Sequence, residues 1–444
     1  MADRWAVATV RASSHLLIVN LFAGCGIYFD MYDVIVVGTR VAGASTAMLL
    51  ARRGLSVLAV DRAKFPSDTV STHQVQVPGG AQLQRWGLLD RVIAAGTPPV
   101  RRVRFDPGPV VLSGRLPMLA GVDAVYSPRR TVLDALLVEA AREAGADVRE
   151  RFGVEELLTA DGRITGIRGR GDGGGAVSER AGVVVGADGR HSLVARCVAA
   201  AAYRESPPRS VATYTYWSGV PLTGGEIYSR SEQQRMVGVW PTNDGLVMTY
   251  AAAPADEFDA VRADPEGSLL RTLDLCGDLG QRVRAGRREH RIVVTPDVPN
   301  RVRRPYGPGW ALVGDAGLIM DPVTGMGIAD ALRDAELLAD AIATGLDSGP
   351  PLETTLAEYH QRRDRAALPM YEFTTDLAAF GPPRPEQQLL LHALAGKPAE
   401  VDRFLAMLTG AIPIPEYFGA RNLLRVLGLR AMMKAAWAQR RRAA

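Results

Sequence analysis

The stretch that most constrains this chain runs over residues 32–62, YDVIVVGTRVAGASTAMLLARRGLSVLAVDR. Val34, Ile35, Val36 and Val37 form an unbroken apolar run of the length of a buried parallel strand. Gly38 ends it, residues 42–53 predict a helix that Gly54 stops, and residues 56–60 predict a second strand ending at Asp61. Strand, glycine turn, helix and strand make a βαβ unit. Its turn sits at a helix N-terminus, where free N–H groups and the helix dipole attract a pyrophosphate. Asp61 follows Gly38 by 23 positions, near the spacing of about 20 at which an acid meets an adenosine ribose. One position departs from the GxGxxG fingerprint. In Gly38-Thr39-Arg40-Val41-Ala42-Gly43 the middle glycine is Arg40. A side chain there holds the diphosphate away from the backbone, and its guanidinium can pair with it directly.

A chain of 444 residues, 47% hydrophobic, buries a large core and is expected to form two interleaved lobes. The formal net charge is only +4, and lysine occurs only at Lys64, Lys397 and Lys434. No patch of interleaved aromatic and basic residues accompanies the arginines, so nucleic acid is not an expected partner. Cys25, Cys197 and Cys276 are too few and too widely spaced for a disulfide framework or a metal site. No metal is expected, and a reducing, cytoplasmic location fits. Arg4 and Arg11 flank the start of an apolar patch at 16–22, and Phe22-Ala23-Gly24-Cys25 resembles a lipoprotein cleavage site, so a secretory leader is an alternative. Asn20 interrupts that short core and Met31 lies just ahead of the first strand, so residues 1–30 are expected to be a disordered extension. No other stretch reaches the roughly 18 apolar residues of a transmembrane span.

Past Asp61, residues 63–80 carry Pro66 and Pro78 and predict a loop, followed by a helix at 82–92 broken at Gly87. Residues 100–126 predict short strands and turns, and 131–144 a helix with Leu133, Leu136, Leu137 and Ala140 on one side. Residues 148–158 and 164–170 predict a hairpin across Asp161-Gly162, and 182–185 a buried strand running into Gly186-Ala187-Asp188-Gly189. Alternating residues between 203 and 250 predict an antiparallel sheet. Its Tyr214, Tyr216, Trp217 and Trp240 are candidates for a substrate wall or for ordinary sheet core. Residues 310–313 predict a strand ending at Gly314-Asp315, before MDPVTGMG at 320–327 and a helix from Ile328. Gly325 and Gly327 there allow backbone amides to approach a flat ligand and stabilise negative charge on it, and Asp315 can accept from sugar-like hydroxyls. The tail beyond 354 is helical; residues 423–437 predict an amphipathic helix ending in Arg440-Arg441-Arg442, which either covers core or rests on a membrane surface.

Four motifs in one order now stand together: the Gly38–Asp61 unit, Arg130-x-x-Leu133-x-x-x-Leu137, Gly186-Ala187-Asp188-Gly189, and Gly314-Asp315 with Pro322-x-x-Gly325-x-Gly327. Over residues 32–371 the chain resembles the FAD-dependent oxidoreductases that include para-hydroxybenzoate-hydroxylase-like (group A) monooxygenases, geranylgeranyl reductases and flavin halogenases. The resemblance implies an α/β (α+β) fold with FAD as cofactor. A Rossmann-like FAD lobe (31–104, 126–200 and 297–378) would be interleaved with a mixed or antiparallel substrate lobe (105–125 and 201–296), with a helical region at 379–444. It implies that Gly38, Arg40 and Gly43 hold the diphosphate and Asp61 the adenosine ribose. Arg62 and Arg130 would lie along the cofactor, Val154 would meet the adenine through its backbone, and Asp188 would lie near the diphosphate. Gly314 and Asp315 would bind the ribityl chain, and Gly325, Met326, Gly327 and Ile328 the pyrimidine edge of the flavin.

The expected reaction is NAD(P)H- and oxygen-dependent hydroxylation or epoxidation of a hydrophobic or aromatic small molecule. Such chemistry needs a closed pocket and little protein acid–base machinery. The resemblance places the His73 loop beside the flavin, so His73 is a catalytic candidate that polarises substrate or cofactor. The alternative is a histidine satisfied within its own loop. A second Rossmann fingerprint is absent, so reduction is expected from a transient nicotinamide or from a separate flavin reductase. Halogenation is disfavoured, because residues 216–221 lack the first Trp of the halogenase WxWxIP pattern and no lysine falls in a plausible active-site position. A double-bond reductase of the geranylgeranyl type is the rival enzyme. A non-redox flavin scaffold, cyclase or redox sensor is the rival from another class.

Overall fold

The computed structural model describes residues 9–12, 15–18, 31–71, 73–295, 298–347 and 349–428. Within the first thirty residues only Thr9–Ala12 and His15–Ile18 are described, as an antiparallel pair. The rest of the expected extension, and the predicted helix beyond residue 428, lie outside the described residues.

The first layer is a sheet in which Trp310–Leu312, Ala176–Gly186, Met31–Val37, Val57–Val60 and Asp147–Arg149 lie side by side in parallel. Both of its faces are covered, which is why its strands read as continuous apolar runs. Val34 and Val36 pack with Met48, Leu133, Leu137 and Leu332 from the helices Val41–Ala51, Arg130–Glu143 and Gly327–Leu346. Ile35 and Val37 point the other way, onto Phe152, Ile167 and Val194. The hairpin Gly153–Ala160 and Arg163–Arg170 leads antiparallel into Ala176–Gly186. The helix expected at 82–92 with a break at Gly87 is found as two, Val77–Arg85 and Leu89–Ala94, with Gly87 turning the chain at φ +74°; the first starts earlier, inside the stretch expected to be loop.

The second layer is a mostly antiparallel sheet built on Ser210–Ser218, Val247–Pro254, Arg235–Pro241 and Gly225–Arg230. Arg102–Asp106 adds to its edge in parallel and is followed by Leu112–Arg115. Alternation along Ser210–Ser218 sends Tyr214 and Tyr216 to the inner face and Trp217 to the outer one. There Trp217 packs with Leu269, Leu273 and Leu279 of the covering helices. The inner face is capped by the helices Pro385–Leu394 and Pro398–Leu408. Among the described residues no helix is long and apolar enough to cross a membrane, and no group of three or more His, Cys, Asp or Glu could hold a metal ion.

Candidate functional site

Two cavities meet between the layers. The first, about 620 Å³, runs from Val154 and Asp61 past Gly38, Arg130 and Asp188 to Asp315, Gly325 and Ile328. Two helices present their N-termini to it, Val41–Ala51 through Val41 and Ala42, and Gly327–Leu346 through Gly327 and Ile328. No side chain caps either helix. The first-turn amides are therefore left for an acceptor from outside the chain.

The turn before the first of these helices is held by close backbone approach. Gly38 lies at φ +94°, and a Cβ there would stand 2.5 Å from the Ala187 carbonyl oxygen; a Cβ on Gly43 would stand 1.8 Å from that of Gly38. Gly43 thus works by contact rather than by lining the cavity. Asp61 accepts from the Thr39 N–H at 2.7 Å and the Ala63 N–H at 2.8 Å, which fixes its carboxylate at the cavity wall. Arg40, expected at the diphosphate, lines the cavity and is also engaged within the chain. Its guanidinium donates to Asp134 at 2.6 Å and to Ser67 and the Asp68 carbonyl, tying the loop after the second strand to the Arg130–Glu143 helix. Arg130 forks onto the same fully buried Asp134 with two bonds of 3.0 Å. One carboxylate thus serves two guanidiniums, leaving net positive charge at the cavity wall.

Asp188 caps the short helix Leu193–Cys197 by accepting from the Leu193 N–H at 2.6 Å, and it lines the cavity. Arg62 lines it as well. Asp315 lies along the cavity with no hydrogen-bond partner among the described residues, and desolvation raises its carboxyl above the usual range despite the charges of Arg130 and Arg190. Met326 is the exception among the expected flavin contacts. Its side chain packs away from the cavity, against Ala329, Ala367 and Met370.

These features fit FAD. Two uncapped helix N-termini suit the diphosphate and the edge of the ring where negative charge collects, the unpartnered Asp315 suits ribityl hydroxyls, and Arg62, Arg130, Arg190 and Arg196 border a cavity able to take an anion. A Cβ on Gly327 would meet nothing within 4 Å, so that helix end is open to a flat ligand.

The second cavity, about 810 Å³, is lined mostly by apolar side chains, with Trp240 and Met248 on the sheet and Phe404 and Met407 on the cap. Tyr250, Pro322 and Gly325 line both cavities. Trp240 therefore faces the chamber as expected of a substrate wall, whereas Tyr214 faces the cofactor cavity and Tyr216 and Trp217 line neither. The Tyr250 hydroxyl is buried without a partner, and burial raises it well above its ordinary range. Beside it, burial pushes Asp321 up to about 6, although Ser210 Oγ donates to it at 2.7 Å and the Val323 N–H at 3.0 Å.

His73 lines neither cavity. It is fully buried behind the 69–71 loop, with Nδ1 2.8 Å from the Ser71 carbonyl and Nε2 2.6 Å from the Tyr216 hydroxyl. Burial, helped by the charge of Arg130, holds the ring neutral and lowers its pKa to about 3. Both ring nitrogens are therefore engaged, one within the His73 loop and one by the sheet. The unfolded chain takes up a proton near pH 6.5 that the native ring refuses until about 3, so stability at this site falls on acidification through that window. His73→Gln is expected to flatten that fall, measured as the difference in urea midpoints between pH 7 and pH 4.5; an unchanged difference would place the acid sensitivity elsewhere.

Gln74 and Gln76 line the chamber and were not among the expected site residues. Val75 between them pairs with Tyr126, so strand-like alternation points both glutamines to one side, a period-two signal visible in the sequence.

A parallel sheet with two uncapped helix ends converging on an elongated cavity defines a dinucleotide-binding flavoprotein fold. The chain belongs to the FAD binding domain family, whose match spans residues 31–374. It is 26% identical over 344 residues to a digeranylgeranylglycerophospholipid reductase of Methanocella arvoryzae, covering 74% of this chain and 81% of that protein. It is 23% identical over 332 residues to a 1H-pyrrole-2-carbonyl-[peptidyl-carrier protein] brominase of Pseudoalteromonas luteoviolacea, covering 72% and 79%. In fold it is similar to the p-nitrophenol 4-monooxygenase PnpA of Pseudomonas putida, with TM-score 0.70, 22% identity and coverage of 84% of this chain and 96% of that one. It is similar also to the flavin-dependent brominase Bmp2, with TM-score 0.74, 19% identity and coverage of 92% and 100%. The chain is thus an FAD-dependent oxidoreductase by family.

Proposed function

We propose that this chain is an NAD(P)H- and oxygen-dependent FAD monooxygenase that hydroxylates or epoxidises a hydrophobic or aromatic small molecule. The carrying observation is the apolar chamber of about 810 Å³ that shares Tyr250, Pro322 and Gly325 with the cofactor cavity. Bound FAD, reduced by NAD(P)H, would supply the two electrons by which one atom of O2 enters the substrate and the other leaves as water. The chain's own part is to bind, orient and keep water out. The uncapped first turn of Gly327–Leu346 stabilises negative charge on the ring edge. Trp240, Met248, Phe404 and Met407 hold an apolar body beside it. Asp315 binds the ribityl chain. The described cysteines, exposed Cys197 and buried Cys276, are both free thiols, which suits a cytoplasmic setting.

Double-bond reduction is the second assignment. It is favoured by the Tyr250 hydroxyl, a protonated group at the junction of the two cavities, and by the reductase relatives. None of the residues lining either cavity is a lysine, which is the reason halogenation ranks lower. The deciding experiment follows NAD(P)H oxidation and oxygen uptake by the FAD-loaded protein with a library of aromatic and prenyl compounds. Substrate-stimulated oxygen uptake with an oxygenated product, unhalogenated when bromide is present, is the expected result. Reduction of an olefin under anaerobic conditions, abolished in Tyr250→Phe, would replace monooxygenation by the second assignment.

A further inference from the structure

We propose that the helices Pro385–Leu394 and Pro398–Leu408 act as a length gauge, and that the chamber takes a neutral, lipophilic molecule much longer than a single ring. This rests on the assignment of the chamber as the substrate site. The family match ends at residue 374, yet Leu390, Phe404 and Met407 lie beyond it and line the chamber together with Trp240 and Met248 of the sheet. The size of the site is therefore set by a region outside the FAD-binding domain.

That wall is fixed. The Phe404 ring stands between Phe105 and Tyr417, at centroid distances of 5.7 and 5.9 Å. Asp402 Oδ1 accepts the Arg115 N–H at 2.8 Å, and a Cβ on Gly114 would stand 2.4 Å from the same oxygen. The cap can come this close to its strand only because Gly114 has no side chain. At its far end Gly410, at φ +74°, sits so close to Met326 that a Cβ would lie 2.8 Å from the methionine methyl. Cap, sheet and the end of the flavin-facing helix are thus fastened at three points, and closing the chamber around a small guest would break these contacts.

A volume of about 810 Å³ lies toward the top of the roughly 300–1,000 Å³ range of ligand pockets. A single-ring compound would leave most of it unfilled, and an apolar wall facing empty space forfeits its dispersion contacts. The arginines that border the chamber each face a carboxylate, Arg235 with Glu257 and Arg384 with Asp376, which offsets their attraction for an anionic substrate. What remains is a mostly apolar length, with the partnerless polar atoms of Gln74, Gln76 and Tyr250 on the side of Gly325 and the cofactor cavity.

The test uses 4-alkylphenols from methyl to octyl, titrated into the FAD-loaded protein, with dissociation constants taken from the change in the flavin spectrum. Affinity is expected to rise about fourfold per added methylene across the series. Phe404→Trp and, on the other helix, Leu390→Phe should each abolish the gain beyond butyl and lower octyl affinity far more than 4-methylphenol affinity, while FAD content, which neither residue touches, stays unchanged. Equal affinity for methyl and octyl in the unaltered protein, no binding of octyl, or an undiminished gain in both variants would overturn the gauge. If one variant fails to fold, the other stands on a different helix and decides. Because the readout is binding, length selection without oxygen uptake would sink the monooxygenase assignment alone, and oxygen uptake without length selection would sink the gauge alone.

Discussion

Asp134→Ala is expected to destabilise the FAD-free protein by about 3–5 kcal/mol, the usual consequence of breaking a buried ion pair from one side. Asp134 is fully buried and holds Arg130 in a two-bond fork and Arg40 through a single bond of 2.6 Å. Without it, Arg130, itself only 8% exposed, keeps its charge with no carboxylate in reach, and the Ser67–Asp68 loop loses the anchor that Arg40 provides. Both arginines line the cofactor cavity. The diphosphate of FAD can supply part of the missing negative charge, so saturating FAD should restore more stability to the variant than to the parent. Thermal melting with and without FAD measures both quantities. An equal shift in the two proteins would remove Arg40 and Arg130 from the diphosphate site.

Asp315→Ala should move stability and cofactor binding in opposite directions. In the FAD-free protein Asp315 is exposed on the open cavity and has no hydrogen-bond partner among the described residues, so the fold loses no contact with it and the melting temperature should stay level or rise. A hydrogen bond to a charged acceptor contributes about 1.5–3 kcal/mol, so losing the ribityl contacts should weaken FAD binding by at least about tenfold. The expected product is a stable, colourless protein that turns yellow only with excess FAD. A fully loaded variant would dismiss Asp315 as the ribityl ligand, and a collapse in stability would show that the carboxylate supports the fold instead. The pH dependence follows from the raised pKa. The native carboxyl keeps its proton to higher pH than the unfolded one, so its stabilising share is lost as pH rises above the ordinary carboxylate range, and Asp315→Ala should lose less over that rise.

The cofactor half of this site was legible because its physics is local. Val34–Val37 and Val57–Val60 read as buried strands because both faces are covered, and Gly38 and Gly43 stand where backbone approach excludes a side chain. What failed to show was whatever depends on distant partners. His73 and Tyr216 are 143 positions apart, so nothing around His73 reveals that the hydroxyl closes its last valence. Arg130 and Asp134 are four apart and their pairing is readable as a helical neighbour contact, but the capture of Arg40 from 94 positions away is not. Trp217 is a different case. Strand alternation separates it from Tyr214 and Tyr216, and treating the three as one wall overlooked that period. The helical tail was expected, yet helix periodicity carries no information about which chamber a helix covers.

The order of strands in the parallel sheet carries a consequence for the birth of the protein. Trp310–Leu312 lies beside Ala176–Gly186, which lies beside Met31–Val37, so the three neighbours come from the start, the middle and the later part of the FAD-binding domain. The helix that faces the ring edge follows only at Gly327–Leu346. A chain still on the ribosome with its last third unmade has the first nucleotide-gripping turn but neither Asp315 nor that helix. With the cofactor site as proposed, colour is expected to appear only after translation has passed this point, and strand pairings this far apart close late.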